Sequence, residues 1–313
     1  MAAYIELDSD PQVPPPFVFP GVTVRSYRLE ADLFQLQALC DKFLNIGSLF
    51  DRGFEYRAIV PFVDLDFLTY PRMLYALPPY SNWGFATQQE MYFRFFVVKF
   101  ILVDDFLLIP VPEIISFFPY IFVDNYWSAI AGREIIGFPK LLANFDWDTT
   151  PAGPYPIKAK TLAIDVFATN SQLLPLPAVE IRGAPATAQI PFESSFTLPA
   201  DLVGMLDPFL EAMLALEQQF DPGFLRTAHL KQLRDPAVPT EACYQAIVEG
   251  RYAISNLQPV DVSAAEVVVY PHATLSIADN LGLVGTSPFT PLSQYGATCD
   301  MTYEQVTTIF VNS

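Results

Sequence analysis

Lysine is scarce in this sequence, with six in 313 residues: Lys42, Lys99, Lys140, Lys158, Lys160 and Lys231. Charge of any sign is thin, at 16% of the chain, and its balance is acidic, with 17 Lys and Arg against 34 Asp and Glu for a formal net charge of −17. A phosphate backbone needs a basic surface to displace its counterions, so nucleic acid is excluded as a partner. The same acid excess argues against anionic membrane surfaces. Cysteine is limited to Cys40, Cys243 and Cys299, in no CxxC pattern. That removes a disulfide framework and a thiolate zinc site, and it fits a reducing, cytoplasmic compartment. The two histidines, His229 and His272, lie on separate segments, too few for a histidine-rich metal centre. No GxGxxG, GxxxxGK[ST], HExxH or GxSxG occurs, so no cofactor and no metal are expected. The first residues carry no basic stretch followed by an apolar one and do not read as a signal peptide. Even the very apolar run 95–123 is interrupted by Lys99, Asp104, Asp105 and Glu113, which leaves no charge-free window of about 18 residues for a spanning helix.

What the chain has is apolar and aromatic mass, 52% and 14% respectively, which rules out disorder. Its length suffices for a full core without staples. The Pro-rich run within 1–19 reads as an extended arm. The spacing of Leu33, Leu36, Leu39, Cys40, Phe43 and Leu44 predicts a helix over 30–45. Runs rich in Val, Ile, Phe and Tyr predict strands at 56–70, 91–103, 106–111, 119–125, 157–168, 178–183, 243–254, 264–277 and 304–312. A turn is expected at Asp104–Asp105, and a second helix over 200–219. Alternating βα units are absent. The expected class is therefore β-rich α+β, mainly antiparallel, in one domain over 1–313.

Candidate chemistry is sparse. Asp64 and Asp66 share a strand face and form a possible carboxylate pair, against the simpler reading of a polar strand face. Lys140 sits in apolar company. By itself it reads first as a lysine whose stem packs while its ammonium reaches water.

The most informative stretch is 119–145, PYIFVDNYWSAIAGREIIGFPKLLANF. A strand ends in Asp124-Asn125, a small-residue run from Ser128 to Gly132 follows, then Arg133-Glu134 and Phe138-Pro139-Lys140. This order and spacing resemble the acetoacetate decarboxylase superfamily, specifically over 124–140 and loosely over about 20–285. The resemblance implies a closed, barrel-like (cone) β core with a few helices, a helical insertion at 190–222, assembly into homo-oligomers, and a Schiff-base lysine at Lys140. It also implies a proton-transfer glutamate position in WGFATQQE, which falls on Gln88 when counted ungapped from Gly84 and on Glu90 with a two-residue shift.

Two departures stand out. The family's second lysine is Leu141 here, and its carboxylate-binding arginine falls near Pro20. Imine chemistry needs a neutral amine, whereas a free lysine titrates near ~10.4, so desolvation or a neighbouring cation must assist. With position 141 apolar, desolvation is expected to do more, and Arg133 is the nearby cation. The expected catalytic set is Lys140, Glu90 and Arg133, with Gln88, Asp64, Phe138, Trp83 and Leu141 around the substrate. The implied activity is that of a lyase-type enzyme (decarboxylase, aldolase/dehydratase or cyclase) on a small keto compound other than acetoacetate, of the kind met in secondary metabolism. The alternatives are acid–base isomerisation or cyclisation without an imine, and ligand binding without catalysis.

Overall fold

The computed structural model describes residues 13–147, 155–184 and 224–312. The insertion expected at 190–222, the helix expected at 200–219 and the first twelve residues of the expected arm lie outside the described residues.

Seven long strands close into a ring. They are β1 (Phe17–Glu30), β3 (Phe62–Tyr75), β4 (Ala86–Val103), β5 (Leu107–Val123), β9 (Phe224–Arg234), β10 (Ala242–Pro259) and β12 (Ser293–Val311). They pair in the order β5-β9-β10-β12-β1-β3-β4, and β4 returns to β5. A short β2 (Phe54–Ala58) lies against the end of β4. The side sheet is β6 (Lys140–Trp147), β7 (Ile157–Ala163), β8 (Leu174–Gly183) and β11 (Ala265–Val269).

Strand β5 is the branch point. One edge pairs with β4 almost throughout. The other is shared: Ile115–Phe117 pair with β9 and Ile121–Val123 pair with β6, and these two pairings are parallel. The fork between β6 and β9 is where the Lys140 segment enters the sheet. The fold is thus the expected β-rich, barrel-like one.

Several elements differ from the sequence-based expectation for local reasons. The run 56–70 is two strands, β2 and β3, because Pro61 cannot donate to a ladder. The runs 106–111 and 119–125 belong to the single strand β5. The Asp104–Asp105 turn is present, both residues having positive φ as a tight hairpin turn requires. Strand β11 ends at Val269, and Ile277 opens a helix rather than continuing a strand.

Helix α1 (Leu33–Phe43) is capped by Asp32, whose carboxylate accepts from the Gln35 amide, and it buries Leu36, Leu39 and Cys40 against the ring. The remaining α-helices of the described residues are short: α2 (Leu49–Arg52), α3 (Tyr126–Ala131) and α4 (Ile277–Leu281). No described helix is long and apolar enough to cross a membrane.

Candidate active site

The segment between β5 and β6 is built to press a helix onto one side chain. Strand β5 ends at Val123, and Asp124 pins that end to β4 by accepting from the Gln89 amide at 2.8 Å. Asn125 then caps α3: its Oδ1 accepts from the Ser128 amide while its Nδ2 donates to the Thr87 carbonyl. Ser128 and Gly132 stand four residues apart and so share a helix face. That face meets Lys140. The lysine stem fills the space a side chain at residue 132 would need, since a Cβ there would lie 2.6 Å from Lys140 Cδ. A π-helical turn (Gly132–Ile136) carries the chain on. Gly137 ends it with φ +88°, its missing Cβ leaving room for the Lys231 backbone. Phe138 and Pro139 follow, and Lys140 opens β6 opposite Ile121.

Lys140 is 9% exposed. Its Nζ lies 3.0 Å from Glu90 Oε2 and donates to Ser128 Oγ at 2.8 Å, above the Phe138 ring. Glu90 is buried at 6% exposure. It also accepts from Gln88 Nε2 at 2.8 Å and from the Tyr70 hydroxyl at 3.2 Å. Strand geometry explains this grouping. Gln88 and Glu90 are two apart on β4 and face one way, and Tyr70 on β3 is directly opposite Gln88. Burial, with the Glu90 charge second, pushes the Tyr70 phenol well above its ordinary range, so it stays a donor.

These groups line a cavity of about 70 Å³, room for several water-sized groups. Its walls include Phe17, Phe19, Met73, Tyr75, Trp127 and Phe138. Lys140 and Glu90 are its charged groups. The arrangement places an amine, a carboxylate able to exchange a proton with it, and an apolar chamber side by side.

Of the residues expected from the sequence, Lys140, Glu90, Gln88 and Phe138 are brought together here. Both candidates for the proton-transfer position, Gln88 and Glu90, are present, hydrogen-bonded to each other. Four others stand elsewhere. Asp64 is buried between two arginines, 2.9 Å from Arg28 Nε and 3.3 Å from Arg94 NH2, because the register sets it directly opposite Arg28 on β1 and Arg94 on β4. Asp66 joins the cluster through Arg94 at 2.7 Å. Arg133 is exposed: it donates to the Lys140 carbonyl at 3.1 Å and lines a separate cavity behind Phe138. Trp83 is half exposed and packs edge-on against Tyr80 and Tyr75, of which Tyr75 lines the cavity and Trp83 itself does not. Leu141 points to the opposite face of β6 from Lys140 and packs against the main core, so a side chain at 141 does not neighbour the amine.

Ser128, Tyr70 and Gly132 also belong to the site, although the sequence pattern assigns them no role. For Ser128 and Gly132 a signal was there, since their spacing sets them on one helix face. For Tyr70 none existed, because its role depends on the β3–β4 register. His229 was also unassigned. It is 1% exposed, packs edge-on against Phe138 with ring centroids 4.1 Å apart, and neither ring nitrogen has a hydrogen-bond partner among the described residues. Burial, aided by the Lys140 charge, pushes its pKa down to about 3. His272 is structural: Asp165 and the Pro177 carbonyl hold its two nitrogens at 2.9 and 2.7 Å.

Comparison with known proteins agrees with this fold. The family model for acetoacetate decarboxylase matches residues 75–177, which contain Glu90, Ser128 and Lys140. No curated protein matches the sequence significantly. Among solved structures, acetoacetate decarboxylase from Legionella pneumophila is similar at TM-score 0.57 and 15% identity, covering 99% of this chain and 93% of that one. An acetoacetate decarboxylase-like enzyme from Sphingomonas wittichii is similar at TM-score 0.56 and 12% identity, covering 98% of each chain. The enduracididine biosynthesis enzyme MppR, complexed with the condensation product of pyruvate and imidazole 4-carboxaldehyde, is similar at TM-score 0.52 and 12% identity, covering 95% of this chain and 90% of that one. At such identities the structures speak to the fold, which this chain shares with acetoacetate decarboxylase, and the family match covers about a third of the chain, including the Lys140 segment.

Proposed function

We propose that this protein is an enzyme that condenses the Lys140 amine with the carbonyl carbon of a small molecule and uses the resulting iminium as an electron sink. The observation that carries the reading is the placement of Lys140 Nζ at the wall of an apolar cavity, 3.0 Å from the buried Glu90 carboxylate. The ammonium hands its proton across that contact, and the free amine adds to the carbonyl. The carbinolamine then loses its oxygen as water, with one proton returned by Glu90. A carbon–nitrogen double bond replaces the carbon–oxygen one, and the next bond to break at the neighbouring carbon sends its electron pair toward nitrogen.

Each neighbouring group has a task in this scheme. Ser128 fixes the amine at 2.8 Å, and Gln88 and Tyr70 hold Glu90 in place. Gly132 leaves room for the stem. The ring of Phe138 keeps water from below. That MppR has been captured with a condensation product of a keto acid and an aldehyde supports carbonyl chemistry in such a fold. A place in secondary metabolism and assembly into homo-oligomers belong to the same proposal, and light scattering in solution checks the second against the 35.0 kDa of one chain.

The test is oxygen exchange. Imine formation and hydrolysis replace the ketone oxygen with one from water. Incubating acetone with the protein in water enriched in heavy oxygen should label the ketone faster than with Lys140→Met. Equal labelling by both proteins would refute the imine.

A further inference from the structure

We infer that the carbonyl compound this site takes carries no carboxylate: it is a neutral, apolar ketone or aldehyde, and its chemistry makes or breaks C–H and C–C bonds without loss of carbon dioxide. This rests on the Schiff-base reading above.

The argument is a census of positive charge. The chain has 17 Lys and Arg, and every one lies among the described residues. The stretches outside them, 1–12, 148–154, 185–223 and 313, contain none. Of the seventeen, Lys140 alone lines the cavity. Arg28 and Arg94 are committed to Asp64 and Asp66. Arg72 lies over the Phe85 ring, and Arg133 lines the other cavity. The one cation already has its anion, Glu90, at 3.0 Å.

A substrate carboxylate would therefore be a second negative charge against a single positive one. Burying an unpaired carboxylate is strongly unfavourable. The backbone offers no substitute: α3 is six residues long, and its Ser128 amide is taken by Asn125. The walls of Phe17, Phe19, Met73, Tyr75 and Trp127 suit an apolar substituent instead.

Without a carboxylate to lose, the electron pair entering the iminium comes from one of two bonds. In one case the Cα–H bond breaks, Glu90 takes the proton, and a neutral enamine remains. In the other a β-hydroxy substrate gives its hydroxyl proton to Glu90, the Cα–Cβ bond breaks, a carbonyl fragment leaves, and the same enamine remains. Both balance without an external oxidant or reductant.

The experiment is reductive trapping of the full-length protein with sodium cyanoborohydride, using matched pairs that differ in charge: acetoacetate against its methyl ester, and pyruvate against methyl pyruvate. Each rate is divided by that with butylamine to remove intrinsic electrophilicity, and adducts are mapped to Lys140. The neutral member of each pair should be trapped faster by at least about tenfold, as the cost of burying an unpaired carboxylate requires. Trapping of the acids at the same rate as the esters, or faster, overturns the inference while leaving the imine standing. No adduct at Lys140 from any of the four overturns both. Met73→Arg, which puts a cation on the wall, should narrow the ratio; an unchanged ratio in a variant with wild-type circular dichroism counts against the inference.

Discussion

A Cβ on residue 132 would lie 2.6 Å from Lys140 Cδ, so Gly132 makes the channel in which the lysine stem runs. Gly132 has ordinary helical backbone angles, which an alanine adopts without strain. Gly132→Ala should therefore fold, with unfolding free energy changed by less than about 1 kcal/mol. The displaced stem should lower the rate of Lys140 trapping by about 100-fold, the typical consequence of a displacement near 1 Å. Urea titration and trapping kinetics on the same sample check both halves.

Removing the lysine itself has a stability consequence. Lys140→Met strands the buried Glu90 carboxylate and should cost roughly 3–5 kcal/mol. Adding Glu90→Gln to that variant removes the stranded charge and should restore most of the loss. Denaturant unfolding of the two single variants and the double variant reads this directly. Additive losses would mean that the pair is not coupled.

The Asp64 cluster is assigned to stability. Asp64→Asn leaves Arg28 and Arg94 with less negative charge inside the ring and should destabilise by about 3 kcal/mol. The trapping rate per folded molecule should not change, because Asp64 does not line the Lys140 cavity. A fall in trapping at unchanged stability would place Asp64 in the site.

His229 sets an acid limit on the fold. Its folded-state pKa, about 3, is depressed below the unfolded value near 6.5. As pH falls through that window the unfolded chain takes up a proton that the folded chain refuses. Stability present above about pH 6.5 is thus lost progressively toward pH 3, by up to roughly 5 kcal/mol at 1.36 kcal/mol per unit. Because neither ring nitrogen has a partner among the described residues, His229→Leu loses no hydrogen bond there. Its unfolding free energy should fall less steeply between pH 6.5 and 4, as measured by denaturant titration at several pH values.

Much of the site was legible in the sequence because it is local. The motif that marks Lys140 lies within 124–140 and is legible through its resemblance to a known family, while composition and spacing alone read Lys140 as a lysine reaching water. Residues whose place depends on long-range register were not legible. Asp64 reads in the sequence as a possible carboxylate partner of Asp66 beside the substrate, whereas the pairing of β1 and β4 sets Arg28 and Arg94 opposite it. Leu141 looked like the amine's neighbour until β6 turned it to the other face. Ring closure hinges on β5, one edge of which divides between β6 and β9, and hydropathy does not encode such sharing.

The scarcity of lysine makes the central claim easy to test. Treat the protein with a small neutral methyl ketone and cyanoborohydride, digest it, and locate the alkylated residue among the six lysines. The account predicts modification at Lys140, absent from Lys140→Met and faster than at the exposed Lys42. An unmodified Lys140 beside a labelled Lys42 would contradict it.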